Sequence, residues 1–181
     1  MRRVHLILTV LLFALSAPVA AQSPLTADLV KDITQAEEKF VALAKVFNAQ
    51  QAGWRPGEGV RSVQEVLLHV AADNYFLPAA MGVAAPPATK ITATDFNAMM
   101  AFEKQELNQA GTVAAVEASF DHLRTAFNGI SEARMNEKIT VFGQEFTVRQ
   151  FMILAATHMH EHLGQLIAYA RMNGVKPPWS R

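Results

Sequence analysis

Apolar side chains recur at three- and four-residue intervals through four long stretches of this chain, a period that gathers them on one face only if each stretch is a helix. In the first stretch Leu29, Ile33, Phe40, Leu43, Ala44 and Phe47 keep that spacing and charges fill the opposite face. Ser23-Pro24 starts it, with proline tolerated where the backbone N–H has no helical partner, and a turn at Gly53 is expected beyond its end. The second opens on Ser62-Val63-Gln64-Glu65, a capping-box pattern, and is expected to run from about Ser62 to about Met81 despite Pro78. Val113, Val116, Phe120, Leu123 and Phe127 mark a third, from about Thr112 to Asn128. Thr147-Val148-Arg149-Gln150 is a second capping box and opens the longest helix, which Gly174 and Pro177-Pro178 stop after about Asn173.

The intervening segments are long. Gly82–Thr94 is rich in proline, and residues 95–110 have a weakly amphipathic helical pattern that Gly111 is expected to break. KITVFGQEFTV alternates apolar and polar residues around Gly143-Gln144, which predicts a small hairpin or extended loop near 138–148. The expected fold is all-α: a four-helix bundle with longer crossover connections than an up-down-up-down arrangement needs.

Arg2 and Arg3, the apolar run Leu6–Leu15 and the small residues SAPVAA form a signal-peptide pattern over residues 1–21, with cleavage expected after Ala21. The apolar run is shorter than the roughly 20 residues that span a bilayer. The expectation is therefore an exported protein, periplasmic where the host has two membranes and free of the membrane once the signal is removed. Residues 22–181 are then one domain, long enough for a sizeable core. Losing Arg2 and Arg3 takes the basic residues from 16 to 14 against 16 acidic, which gives no footprint for nucleic acid. With no cysteine there is no disulfide, thiolate nucleophile or cysteine-based zinc site.

Chemistry is concentrated in histidines. His158 and His162 lie at i and i+4 on the last helix, about 40° apart, and share a face with Phe151 and Ala155. Gln165 falls at about −20° from His158 on the same side, whereas His160 falls at about −160° and points away. Two inward imidazoles one turn apart need partners, since each polar nitrogen buried unsatisfied costs about 1–3 kcal/mol. A divalent metal bound by neutral imidazole satisfies both; backbone or water partners are the alternative. His69 stands alone on the second helix, with Glu65 and Asp73 one turn to either side as candidates to orient its second nitrogen. His122 and the methionines Met99, Met100, Met152 and Met159 are read as packing residues. His158-Met159-His160-Glu161-His162 also matches the inverted zinc-peptidase pattern, but that chemistry needs a downstream acidic ligand, and none of the 19 residues after His162 is acidic.

Taken in order, Trp54-Arg55-Pro56, the capped helix from Ser62 to His69, His158-x-x-x-His162-x-x-Gln165, Tyr169-x-Arg171-x-x-Gly174 and Pro177-Pro178-Trp179-Ser180 resemble the DinB-like superfamily of four-helix bundles, which includes thiol S-transferases. The resemblance spans nearly all of the mature chain. It implies one divalent metal held by three histidines, by position His69, His158 and His162, with water or substrate in the remaining positions; beside it, Gln165 is read as support behind the ligands or as bundle packing, and Asp73 as the support of His69. It also implies the chemistries of characterised relatives: S-transfer, isomerisation or amide hydrolysis, often with a low-molecular-weight thiol. Export separates this chain from the cytosolic thiol enzymes. The expected function is a metal-dependent hydrolase or transferase of a small-molecule substrate, with Glu161 as candidate base; a non-catalytic metal- or ligand-binding bundle is the alternative. Three imidazoles accept zinc, nickel, manganese or iron, so they leave the metal open. A homodimer is expected because such bundles commonly pair.

Overall fold

The computed structural model describes residues 23–180, so the expected signal peptide lies outside the described residues. Four long helices carry the fold: α1 (Pro24–Val46), α3 (Val63–Ala80), α5 (Gln109–Gly129) and α6 (Val148–Met172). Shorter elements fill the crossovers: α2 (Ala49–Gly53), α4 (Phe96–Glu103) and a hairpin of β1 (Lys138–Val141) and β2 (Gln144–Thr147). Among the described residues, no helix is long and apolar enough to cross a membrane.

The long helices pack in the ring order α1, α5, α3, α6. Helices consecutive in sequence are thus not always neighbours: α1 and α3 are diagonal, as are α5 and α6. Each diagonal step requires a crossover, and residues 47–62 and 130–147 supply the two that make them. The four-helix bundle read from the periodicity is the one observed.

Local chemistry explains the boundaries. Ser62 Oγ accepts the Glu65 N–H while the Glu65 carboxylate accepts the Ser62 N–H, and Thr147 with Gln150 repeats the box at the start of α6. Ser23 sits at the expected N-cap of α1, but its side chain makes no capping bond; the proline start suffices. Gly111 does not break a helix, contrary to the sequence expectation. It lies in the first turn of α5, where its N–H donates to the Asn108 side chain at 2.8 Å, and the break falls earlier, between α4 and Asn108.

The core is aromatic where α1 meets α5. Phe40 and Phe120 are fully buried with ring centroids 5.5 Å apart. Phe47, Leu43, Leu123 and Phe127 continue the same seam, each side chain of this size contributing about 1.5–3 kcal/mol by leaving water. Helix α3 is buried on nearly every side, flanked by α5, α6 and α4. Most polar residues on α3, Asp73 and Asn74 among them, therefore face protein.

Candidate metal centre

Helices α3 and α6 face each other with one i,i+4 polar pair apiece: His69 and Asp73 on α3, His158 and His162 on α6. One ligand atom from each of the four residues lies within 4.8 Å of the other three, a grouping that could hold a metal ion. The imidazole rings stand nearly perpendicular to one another, with interplanar angles of 80°, 83° and 90°. Asp73 Oδ2 lies 3.2 Å from His69 Nε2 and 2.9 Å from His158 Nε2, and the Nε2 atoms of His158 and His162 are 3.2 Å apart.

What lies behind two of the rings explains why their Nε2 atoms point inward. His69 Nδ1 is 3.1 Å from Glu103 Oε2, and His162 Nδ1 is 2.8 Å from Gln165 Oε1. An oxygen acceptor behind the ring fixes the proton on Nδ1 and leaves the Nε2 lone pair free to face the centre, the arrangement usual for metal-binding histidines. Gln165 is fixed in turn, its amide N–H donating to Tyr169 Oη at 2.9 Å while Trp54 packs edge-on against the Tyr169 ring at 5.3 Å. Glu103 is held by Arg61 through two parallel bonds of 2.5 and 3.1 Å.

The electrostatics follow from this crowding. Burial alone would raise the Glu103 carboxyl, but the bonds from His69 and Arg61 hold it down at about 2. The hydrogen bond to Asp73 raises His158, whereas burial lowers His162 and favours its neutral form. Three inward nitrogens and a carboxylate oxygen at hydrogen-bond spacing favour positive charge between them. A proton on His158 or a cation supplies it, and the nitrogen and oxygen donor set suits a divalent ion.

The structure brings together His69, His158 and His162, and Gln165 lies behind His162. Asp73 differs: its carboxylate lies on the Nε2 side of His69, inside the cluster, and Glu103 is the acid behind Nδ1. The two matching i,i+4 pairs were the signal for placing Asp73 there; Glu103, on the short α4, gave none. Glu65 is engaged elsewhere, with Ser62, Arg55 and Lys104. Glu161 lies outside the cluster, 75% exposed, with its carboxylate 3.6 Å from His158 Nδ1. His160 points to the other face and meets Asp32 at 2.9 Å.

Comparison with known proteins places this geometry in a family. No curated protein matches the chain in sequence. Solved structures match its fold. A DinB-like protein from Bacillus subtilis aligns with a TM-score of 0.63 at 17% identity, covering 82% of this chain and 93% of its own. YfiT from Bacillus subtilis, described as a probable metal-dependent hydrolase with an unusual four-helix bundle topology, aligns at 0.64 and 13% identity over 88% of this chain and 94% of its own. A mycothiol-dependent maleylpyruvate isomerase aligns at 0.59 and 15% identity, over 80% of this chain and 61% of its own. At these identities the likeness is one of fold. The sequence profile of the DinB superfamily matches residues 32–166, most of the chain and all four members of the cluster, and the protein belongs to that superfamily.

Proposed function

We propose that the protein is an exported metal-dependent hydrolase or transferase acting on a small molecule, with a divalent cation held by His69, Asp73, His158 and His162. The observation that carries the reading is the convergence of three Nε2 atoms and one carboxylate oxygen within 4.8 Å, two of the rings backed by Glu103 and Gln165. When bound there, a divalent cation supplies Lewis acidity and lowers the pKa of a water or thiol. The residues themselves provide the rest. Glu103 and Gln165 fix the His69 and His162 rings, Arg61 keeps Glu103 ionised, and the Trp54–Tyr169 contact holds Gln165 in place. Glu161 faces solvent with its carboxylate 3.6 Å from His158 Nδ1, too long for a hydrogen bond, and is the candidate base.

Turnover of ester, amide and thiol-dependent substrates by metal-loaded protein tests the reading, with His162→Ala and chelator-treated protein as controls. Activity that disappears in both controls supports catalysis at this cluster. Activity retained in His162→Ala rules it out, and metal binding without any turnover selects the non-catalytic bundle. Export is tested by the mature N-terminus, expected at Gln22.

A further inference from the structure

An apolar cavity of about 210 Å³ opens against one side of the cluster. Phe76, Leu77, Phe96, Met99, Met100 and Phe142 form its apolar walls, and Arg61, His69, Asp73, Glu103 and His158 supply its polar lining. A cavity of about 150 Å³ with such walls is enough to take benzene. This one therefore admits an aryl ring with a short linker, or an alkyl group of similar bulk, pointing its functional end at Asp73 and His158.

The mouth is apolar too. Of the eight large hydrophobic side chains exposed among the described residues, three (Phe96, Phe142 and Leu154) line this single cavity. Scattered apolar residues on a surface are ordinary, whereas a cluster at one opening marks a contact site. Phe142 adds an independent sign. It sits in the two-residue turn of the hairpin at φ 52°, a left-handed conformation uncommon for a bulky side chain, and hairpin turns of this kind favour asparagine or glycine. Its ring is 70% exposed, stacks on Phe76 at 5.5 Å and stands edge-on to Phe96 at 6.3 Å. A strained aromatic kept in solvent at the rim of a cavity is the pattern of a ligand clamp.

We infer that this cavity binds an aryl or compact alkyl group of the substrate and that Phe142 closes over it. The assignment rests on the metal-dependent reading for its substrate role, but the cavity itself is testable without a metal. The test is ¹⁹F NMR titration of 4-fluorotoluene, a probe with no metal-binding group, into the metal-stripped protein. Saturable binding by the wild type is expected. It weakens about three- to tenfold in both Phe142→Ala and Phe142→Gly, because an aromatic contact is lost in each. Met100→Trp fills the cavity and abolishes binding. Absence of saturable binding by the wild type overturns the inference, as does unchanged binding in Met100→Trp. Wild-type affinity in Phe142→Gly also overturns it, since the residue would then serve only the turn. Failure of zinc to bind in a parallel titration would overturn the metal assignment alone.

Discussion

The α1–α5 seam and the α3–α6 seam lie on opposite sides of the same bundle and are built on opposite terms. Phe40, Leu43, Phe120 and Leu123 fill the first with side chains that ask for nothing but exclusion from water. The second sets His69, Asp73, His158 and His162 face to face, with lone pairs and a carboxylate crowded at 2.9–3.2 Å. One seam stabilises the fold in any solution. The other crowds donors whose repulsion a proton on His158 or a cation relieves, and on the proposed reading its stability is tied to a bound cation.

Cutting the apolar seam should have the largest effect. Phe120→Ala is expected to destabilise the protein by about 3–5 kcal/mol in urea unfolding while zinc affinity of the folded molecules stays unchanged. A large loss of affinity would mean that the seams are coupled rather than independent. On the other side, zinc at about 100 times its dissociation constant should stabilise the wild type by about 2.7 kcal/mol, roughly 5–10 °C in Tm, and should not shift Tm in His162→Ala by a comparable amount. Calorimetry with and without zinc reads both.

Smaller effects probe the supports. Glu103→Gln keeps the shape behind His69 and removes the charge, and zinc affinity is expected to fall about 10–100-fold by competition titration. An unchanged affinity would show that Glu103 serves only Arg61. The smallest effect belongs to Glu65, one turn from His69 but outside the cluster. Burial would raise its carboxyl, but hydrogen bonds from Lys104 and the Ser62 backbone, with Arg55 nearby, lower it from 4.5 to about 2. Because the folded value is the lower one, the stabilisation is full above pH 4.5 and is lost as pH falls toward 2. Glu65→Gln should cost about 1 kcal/mol at pH 7, since its cationic partners are solvent-facing, with the deficit closing over that acid range. A deficit independent of pH would assign Glu65 to capping alone.

The two seams also differ in how legible they were. The apolar one, apart from the start of α5, whose Asn108 cap lies four residues before Thr112 where the periodicity begins, follows from periodicity, because every buried position on α1 and α5 repeats at helical spacing. His158 and His162 were legible for the same reason. Spacing alone does not say on which side of His69 the Asp73 carboxylate lies, because it gives the face of a helix and not the direction of a side chain's tip. Glu103 was invisible: its bond to His69 spans 34 residues and comes from a helix of eight residues with little amphipathic pattern. The hairpin was legible from alternation, but the aromatic at its turn was not, since Phe142 occupies a conformation its residue type disfavours.

The central claim is that the α3–α6 seam holds one divalent cation. Nitrogen and oxygen sites bind zinc more tightly than manganese or iron(II), so zinc reports the site whichever of these metals it carries in the cell. Titrating zinc into the metal-stripped protein by isothermal calorimetry should show one equivalent bound per chain, with the stoichiometric phase lost in His162→Ala. No stoichiometric binding by the wild type, or equal binding by His162→Ala, would contradict the account.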